Sequence, residues 1–244
     1  INSPETPIYN KSRVLYGISQ SKEAIREKEI AILVEGYADL ISVFQGGVKN
    51  IVASSGTALT QDQIRLVRRY TTNITIVYDA DSAGSSAAMR GVDLILQNDM
   101  DVRVAPLPEG EDPDSFVKKN GGEVFQKLVD NAQSFVDFLA DTYERQGKLT
   151  TTEGQAQAVR TIVHTIAKMS DELKRNFYIK HVAEKYKLYE STLYHELEKH
   201  LMDKRWKVNE SAPAKHAVSV ENPQPAGQEI PTAERDLIHS MLEG

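Results

Sequence analysis

The sequence predicts an α/β fold: a parallel sheet flanked by helices over residues 30–120, then an all-α helical subdomain over residues 121–207. Three observations carry this reading. Short runs rich in Ile, Val and Leu alternate with helical stretches, and the connections between them are short, as in a βαβ series. The first run, Ile30–Val34, is continuously apolar, as strands buried on both faces are. Beyond Asp114 no such run recurs, and the apolar residues fall at helical spacing instead.

Taken in order, residues 1–29 form a polar lead-in. Pro4 and Pro7 bias Ser3 and Thr6 toward extended backbone, and Ser21–Lys28 reads as a short helix. The first strand is Ile30-Ala31-Ile32-Leu33-Val34, stopping at Glu35-Gly36, and Asp39–Phe44 reads as the helix after it. Asn50–Ala53 is the second strand, ending in Ser54-Ser55-Gly56-Thr57. Thr60–Tyr70 is the second helix of the series, with Thr60 and Gln63 spaced as a capping box. Ile74–Tyr78 is the third strand and runs into Asp79-Ala80-Asp81-Ser82-Ala83-Gly84, from which a helix continues to Gln97. Val102–Leu107 is the fourth, leading to Glu109-Gly110-Glu111-Asp112-Pro113-Asp114.

In the helical region Phe125 to Tyr143 carry helical spacing, with a break near Asp130-Asn131. Gly147 ends that stretch, and Thr150–Gly154 reads as a linker. Val159, Ile162, Val163 and Ile166 form a clean stripe. Leu173 to Tyr186 give another helix, and Leu193, Leu197 and Leu201 a third, capped at Ser191. Residues 208–231 lose bulky apolar periodicity and read as a flexible linker, and an amphipathic helix starts within 232–244.

Three strand ends deliver acids and one delivers glycine with hydroxyls. If the strands are parallel, all gather along one edge, where open α/β sheets bind ligands. Two carboxylates about 4 Å apart repel by roughly 4 kcal/mol at an effective dielectric of about 20. Such an edge needs raised pKa values or a bound cation. Oxygen-only ligation suits Mg²⁺ or Mn²⁺. Ordinary solvated turn acids are the competing reading for any one residue, and it weakens for Glu35, Asp79 and Asp81 taken together.

Composition narrows the classes. The chain has 244 residues, enough for one large or two modest domains. It has no run of eighteen apolar residues, hence no expected membrane span, and its start lacks a signal-peptide pattern, while the absence of Cys fits a cytoplasmic protein. Having no Cys, it has no disulfide framework or thiolate zinc site. A net charge of −6 argues against a general nucleic-acid coat. The start lacks Met, so the sequence reads as a fragment.

Other motifs are weaker. Asp79-x-Asp81-x-x-Gly84 fails as an EF-hand, because Ala83 and Arg90 stand where ligands are required. Gly84 instead reads as a helix-start residue. Ser54–Thr57 is a phosphate cradle or simply a tight turn. Arg65, Arg68 and Arg69 read as a solvated basic face. The histidines lack zinc spacing, and His181–His200 reads as bundle core in preference to a DNA-reading helix pair.

Glu35-Gly36 followed by Asp79-x-Asp81 at a later strand end resembles the toprim fold. The finer resemblance is to bacterial DNA primases. It rests on Val34-Glu35-Gly36-Tyr37-Ala38-Asp39, Ala53–Ala58, Tyr78–Gly84 and Leu107–Asp114. The entry stretch Asn2–Pro7, with Asn10-Lys11 and Leu15-Tyr16-Gly17, adds to it. The resemblance covers residues 1–120 well and the helices loosely. It implies a toprim-type sheet and metal-dependent synthesis of RNA primers from ribonucleoside triphosphates on a single-stranded DNA template. It implies that Glu35, Asp79 and Asp81 are catalytic metal ligands for Mg²⁺ or Mn²⁺, with Asp39, Asp112 and Asp114 in support. Lys11 and, more weakly, Asn2 would meet nucleotide or template. Residues 1–29 would then close a preceding polymerase subdomain, zinc would belong only to an absent N-terminal module, and 232–244 would begin a domain that docks the replicative helicase. Two rivals are another toprim enzyme, nuclease or topoisomerase, and a helicase-docking scaffold.

Overall fold

The computed structural model describes residues 6, 10–55, 58–79 and 82–211. Its centre is a five-stranded sheet of β1 (Ala31–Val34), β2 (Ile51–Ala53), β3 (Asn73–Tyr78), β4 (Asp101–Pro106) and β5 (Gln133–Ser134), in the order β2-β1-β3-β4-β5. The first four strands are parallel, with Leu33 opposite both Val52 and Ile76, and Ile76 opposite Val104. The short β5 runs antiparallel to β4, pairing Gln133 with Val104. A parallel sheet flanked by helices is therefore present, with one antiparallel strand added at its edge. Its two residues carry no periodicity that a sequence reading could detect.

Strand side chains alternate between two apolar layers. Leu33, Ile74, Ile76, Val102 and Val104 face one side, with α1 (Ile18–Lys28), α3 (Gln61–Arg68) and α4 (Ser82–Gln97). Ile32, Val34, Ile51, Val77 and Ala105 face the other, under α2 (Tyr37–Gln45), α5 (Pro113–Asn120) and α6 (Gly122–Asp130). Thr60 caps α3 as its spacing predicts: its hydroxyl accepts from the Gln63 amide at 3.2 Å, and Gln63 Oε1 accepts from the Thr60 amide at 3.1 Å.

The later helices are α7 (Phe135–Arg145), α8 (Thr152–Ile166), α9 (Glu172–Tyr186) and α10 (Glu190–Ser211). They join the first apolar layer through Phe138, Leu139, Ile162, Ile166, Ile179, Val182, Leu193 and Leu197. Burial of Val182, Leu193 and Leu197 makes the α9–α10 pair bundle core, as the sequence indicates.

Three local expectations change. Residues 152–154 are not linker but the first turn of α8, because the Thr151 hydroxyl accepts from the Gly154 amide at 3.1 Å and caps it. Gly154 is needed there: a Cβ would lie 1.7 Å from the Lys148 carbonyl oxygen. Ser191 is inside α10, which begins one residue earlier at Glu190. That helix also runs past Val208 to Ser211, since no helix breaker occurs before Pro213. Residues 212–244, with the rest of the expected linker and the amphipathic tail, lie outside the described residues. Among the described residues no helix is long and apolar enough to cross a membrane.

Candidate active site

The strand order places β1 between β2 and β3, so the chain turns one way after β1 and the other way to reach β3. The carboxyl ends of β1 and β3 flank this switch point, where open α/β sheets form their ligand crevice. Glu35 follows β1 directly and Asp79 follows β3 directly, both exposed. Paired strands lie about 4.8 Å apart, so the sheet delivers these carboxylates side by side. They open onto a cleft of about 820 Å³ that Asp39, Asp112 and Ser54 also line.

Asp39 comes from the first turn of α2. Its Oδ2 accepts from the Gly36 amide at 3.0 Å, which fixes the carboxylate over the strand end. Its pKa is raised to about 6. Burial is the main cause; the charges of Asp112 and Asp79 raise it further, and backbone hydrogen bonds at Gly36 and Asp114 oppose them. Asp112 is the N-cap of α5, its Oδ1 accepting from the Ser115 amide at 2.7 Å. Asp114 is the second residue of α5 and does not line the cleft. The Ser42 hydroxyl donates to it and Lys118 Nζ sits 2.7 Å away, so its carboxyl is held below the usual range, chiefly by the Lys118 bond.

Four acids of the sequence reading, Glu35, Asp39, Asp79 and Asp112, thus meet at one cleft, and Asp114 stands beside it. Lys11 is elsewhere, in a 3-10 turn (Lys11–Arg13) anchored when Gln63 Nε2 donates to its carbonyl at 3.1 Å. Asp81 and Asn2 lie outside the described residues. The sequence reading missed Arg90, exposed on α4 and lining the same cleft. Its only sequence signal is helical distance from the Asp79 turn. Arg65 pairs with Asp62 at 3.5 Å on the solvated face of α3, as expected of a surface cation.

An all-oxygen donor set in which the Asp112 and Asp79 charges raise the pKa of Asp39 fits a hard divalent cation. Among the described residues, no three carboxylates or histidines stand close enough to share one ion. The fit therefore lies in the donor chemistry and the mutual repulsion at the cleft.

Residues 32–117 match the Toprim-like family, and residues 136–189 match the DnaB-helicase binding domain of primase. The DNA primase of Clostridium acetobutylicum is 39% identical over 196 residues, 80% of this chain and 32% of that protein. The DNA primase of Halalkalibacterium halodurans is 35% identical over 250 residues, 99% of this chain and 41% of that protein. A structure of the Aquifex aeolicus primase zinc-binding and RNA polymerase domains is 35% identical with a TM-score of 0.69, covering 79% of this chain and 46% of that one. The chain belongs to the bacterial DNA primase family.

A DnaG primase catalytic domain bound to single-stranded DNA is also similar to this chain, at 34% identity and a TM-score of 0.66 over 75% of this chain and 60% of that one. The chain spans about a third to two-fifths of the length of the curated primases above. The helicase-binding match covers nearly all of α7, all of α8 and α9, and lies upstream of residues 232–244.

Proposed function

We propose that this primase segment holds the metal-binding side of a primer-synthesis site. The full protein would join ribonucleotides on a single-stranded DNA template in the cytoplasm. The observation that carries the proposal is the meeting of Glu35, Asp39, Asp79 and Asp112 at the switch-point cleft of a chain that matches primases. Mg²⁺ or Mn²⁺ bound there would supply activation of the attacking hydroxyl and charge neutralisation at the leaving pyrophosphate.

Glu35 and Asp79 are assigned as direct ligands, with Asp81 in the same turn as Asp79. Asp39 and Asp112 complete the negative field and orient the ion through water or directly. Asp114, held by Ser42 and Lys118, fixes the start of α5 and thereby Asp112. Arg90 supplies a positive charge on the cleft wall, suited to a phosphate. Lys11 and Asn2 are assigned to nucleotide or template. Zinc belongs to a separate module of the full protein.

Calorimetric titration of Mn²⁺ tests the site. The chain should bind it, and Asp79→Asn/Asp81→Asn should not; equal binding by both overturns the assignment. In a full-length primase carrying this segment, Glu35→Gln should abolish primer synthesis and leave DNA affinity intact.

A second reading concerns α7–α9. The helicase-binding match over 136–189 favours a docking role for this module toward the replicative helicase. Pull-down of a purified replicative helicase by the chain, compared with a Leu173→Ala/Phe177→Ala variant at two exposed positions of α9, tests it; equal recovery refutes it.

A further inference from the structure

Tyr37 and Tyr16, on segments that adjoin the acidic cleft, hold their rings in edge-to-face contact, centroids 6.3 Å apart and planes inclined at 67°. Both rings remain accessible, at 40% and 39% exposed. The backbone fixes both. Tyr37 is the first residue of α2, directly after Gly36, which lines the cleft. Tyr16 pairs with Ala53 in an antiparallel bridge, its amide donating to the Ala53 carbonyl at 2.9 Å. Ala53 immediately precedes Ser54, which also lines the cleft. Each ring is therefore tied to a segment that forms the cleft wall.

We propose that the Tyr37–Tyr16 pair is a stacking platform for the nucleobase of a nucleotide whose phosphates occupy the acidic cleft. This rests on the reading of the cleft as a nucleotidyl-transfer site. Three features support it. An exposed aromatic face stacks any base, since every base has a π-face, and so suits an enzyme that must accept all four. Edge-to-face contact with Tyr16 limits rotation of the Tyr37 ring and leaves little side-chain freedom to lose on stacking. Tyr37 is two residues from Glu35, so their backbones are at most about 7 Å apart, a span that one nucleotide bridges. Carboxylates and Arg90 would then meet metal and phosphate while the aromatic pair holds the base, with the sugar between them.

The test uses 2-aminopurine riboside 5′-triphosphate with Mn²⁺, because stacking quenches the fluorescence of this base. Inorganic tripolyphosphate serves as a probe without a base. The chain should bind both. Tyr37→Ala should weaken aminopurine triphosphate binding by about 5- to 150-fold and leave tripolyphosphate and Mn²⁺ affinities unchanged. Tyr37→Phe should retain quenching, and Tyr37→Leu should lose it, which separates stacking from a general apolar contact. Tyr16→Ala gives a second variant should Tyr37→Ala not fold. Equal aminopurine affinity in wild type and both alanine variants overturns the platform while the metal site stands. Retained quenching in Tyr37→Leu also overturns it, and assigns the stacking to another group. If wild type binds neither Mn²⁺ nor tripolyphosphate, the site reading itself fails and the platform with it.

Discussion

Tyr78 and Phe138 pack edge to face with ring centroids 5.2 Å apart, and both are almost wholly buried. Tyr78 is the last residue of the strand that presents Asp79, and Phe138 lies in the first helix of the helical module. The contact joins the cleft-bearing strand to that module within one apolar layer. Phe138→Ala should therefore destabilise the chain by about 3–5 kcal/mol. Loss of strand and helix should coincide in urea unfolding followed by circular dichroism and tyrosine fluorescence. Two separated transitions would show that sheet and helices are independent units. The Tyr78 hydroxyl is buried without a hydrogen bond of ordinary geometry, so Tyr78→Phe should change stability by less than about 1 kcal/mol.

Gly122, the first residue of α6, lies against the carbonyl of Gly46 at the end of α2. A Cβ on Gly122 would fall 1.9 Å from that oxygen. Gly122→Ala must push the two helix ends apart and should lower the melting temperature by several degrees, as about 1–3 kcal/mol of overpacking does in a domain of this size. An unchanged melting temperature would mean that α2 and α6 approach less closely.

Asp39 gives a pH signature in metal-free protein. Its folded-state pKa of about 6 lies above the ordinary value of 3.8, so ionising it is harder in the folded chain. Its contribution favours folding below about pH 3.8 and is lost as pH rises through about 6. Asp39→Asn removes the charge and keeps an acceptor for the Gly36 amide. In EDTA at pH 7.5 the variant should melt higher than wild type, and near pH 3.5 the two should coincide. A variant less stable at pH 7.5 would contradict the burial and repulsion at the cleft.

Asp137 has the opposite sign. Burial pushes its carboxyl up, but bonds from Lys185 at 2.8 Å and from the Ser134 hydroxyl at 2.7 Å bring it below 3.8 overall. It ties α7 to α9, and its contribution is present above about pH 3.8 and lost as pH falls through the lower folded value. Asp137→Asn should cost less than about 1 kcal/mol at pH 7, since the pair is partly solvated. The difference from wild type should shrink below pH 4. A difference that persists at pH 2.5 would assign the effect to packing.

The four parallel strands were legible because apolar β-branched runs need no partner to be recognised, and each stopped at a polar turn. Their order in the chain also placed Glu35 and Asp79 on one edge before any coordinate was known. Gln133-Ser134 was illegible as a strand: two polar residues acquire that state only through pairing with β4. The first turn of α8 was hidden because Thr151-Thr152-Glu153-Gly154 has loop composition, and only the hydroxyl cap on Gly154 reveals a helix start. At the site, acid type and position were readable, while orientation was not. Asp114 is directed by Ser42, 72 residues away. Arg90 reaches the cleft only because α4 packs on the face of the sheet beside β3.

The bridge from Tyr16 to Ala53 has a further effect, beyond placing a ring. A parallel sheet normally leaves unpaired amides and carbonyls along its outermost strands, a template for joining another chain. Here Tyr16 occupies Ala53 on one flank and β5 occupies Arg103 and Val104 on the other, both antiparallel. What remains at each border is too short and too irregular to recruit a foreign strand. The sheet is closed against edge-to-edge aggregation by six residues of otherwise unremarkable sequence: Tyr16, Ala53, Arg103, Val104, Gln133 and Ser134.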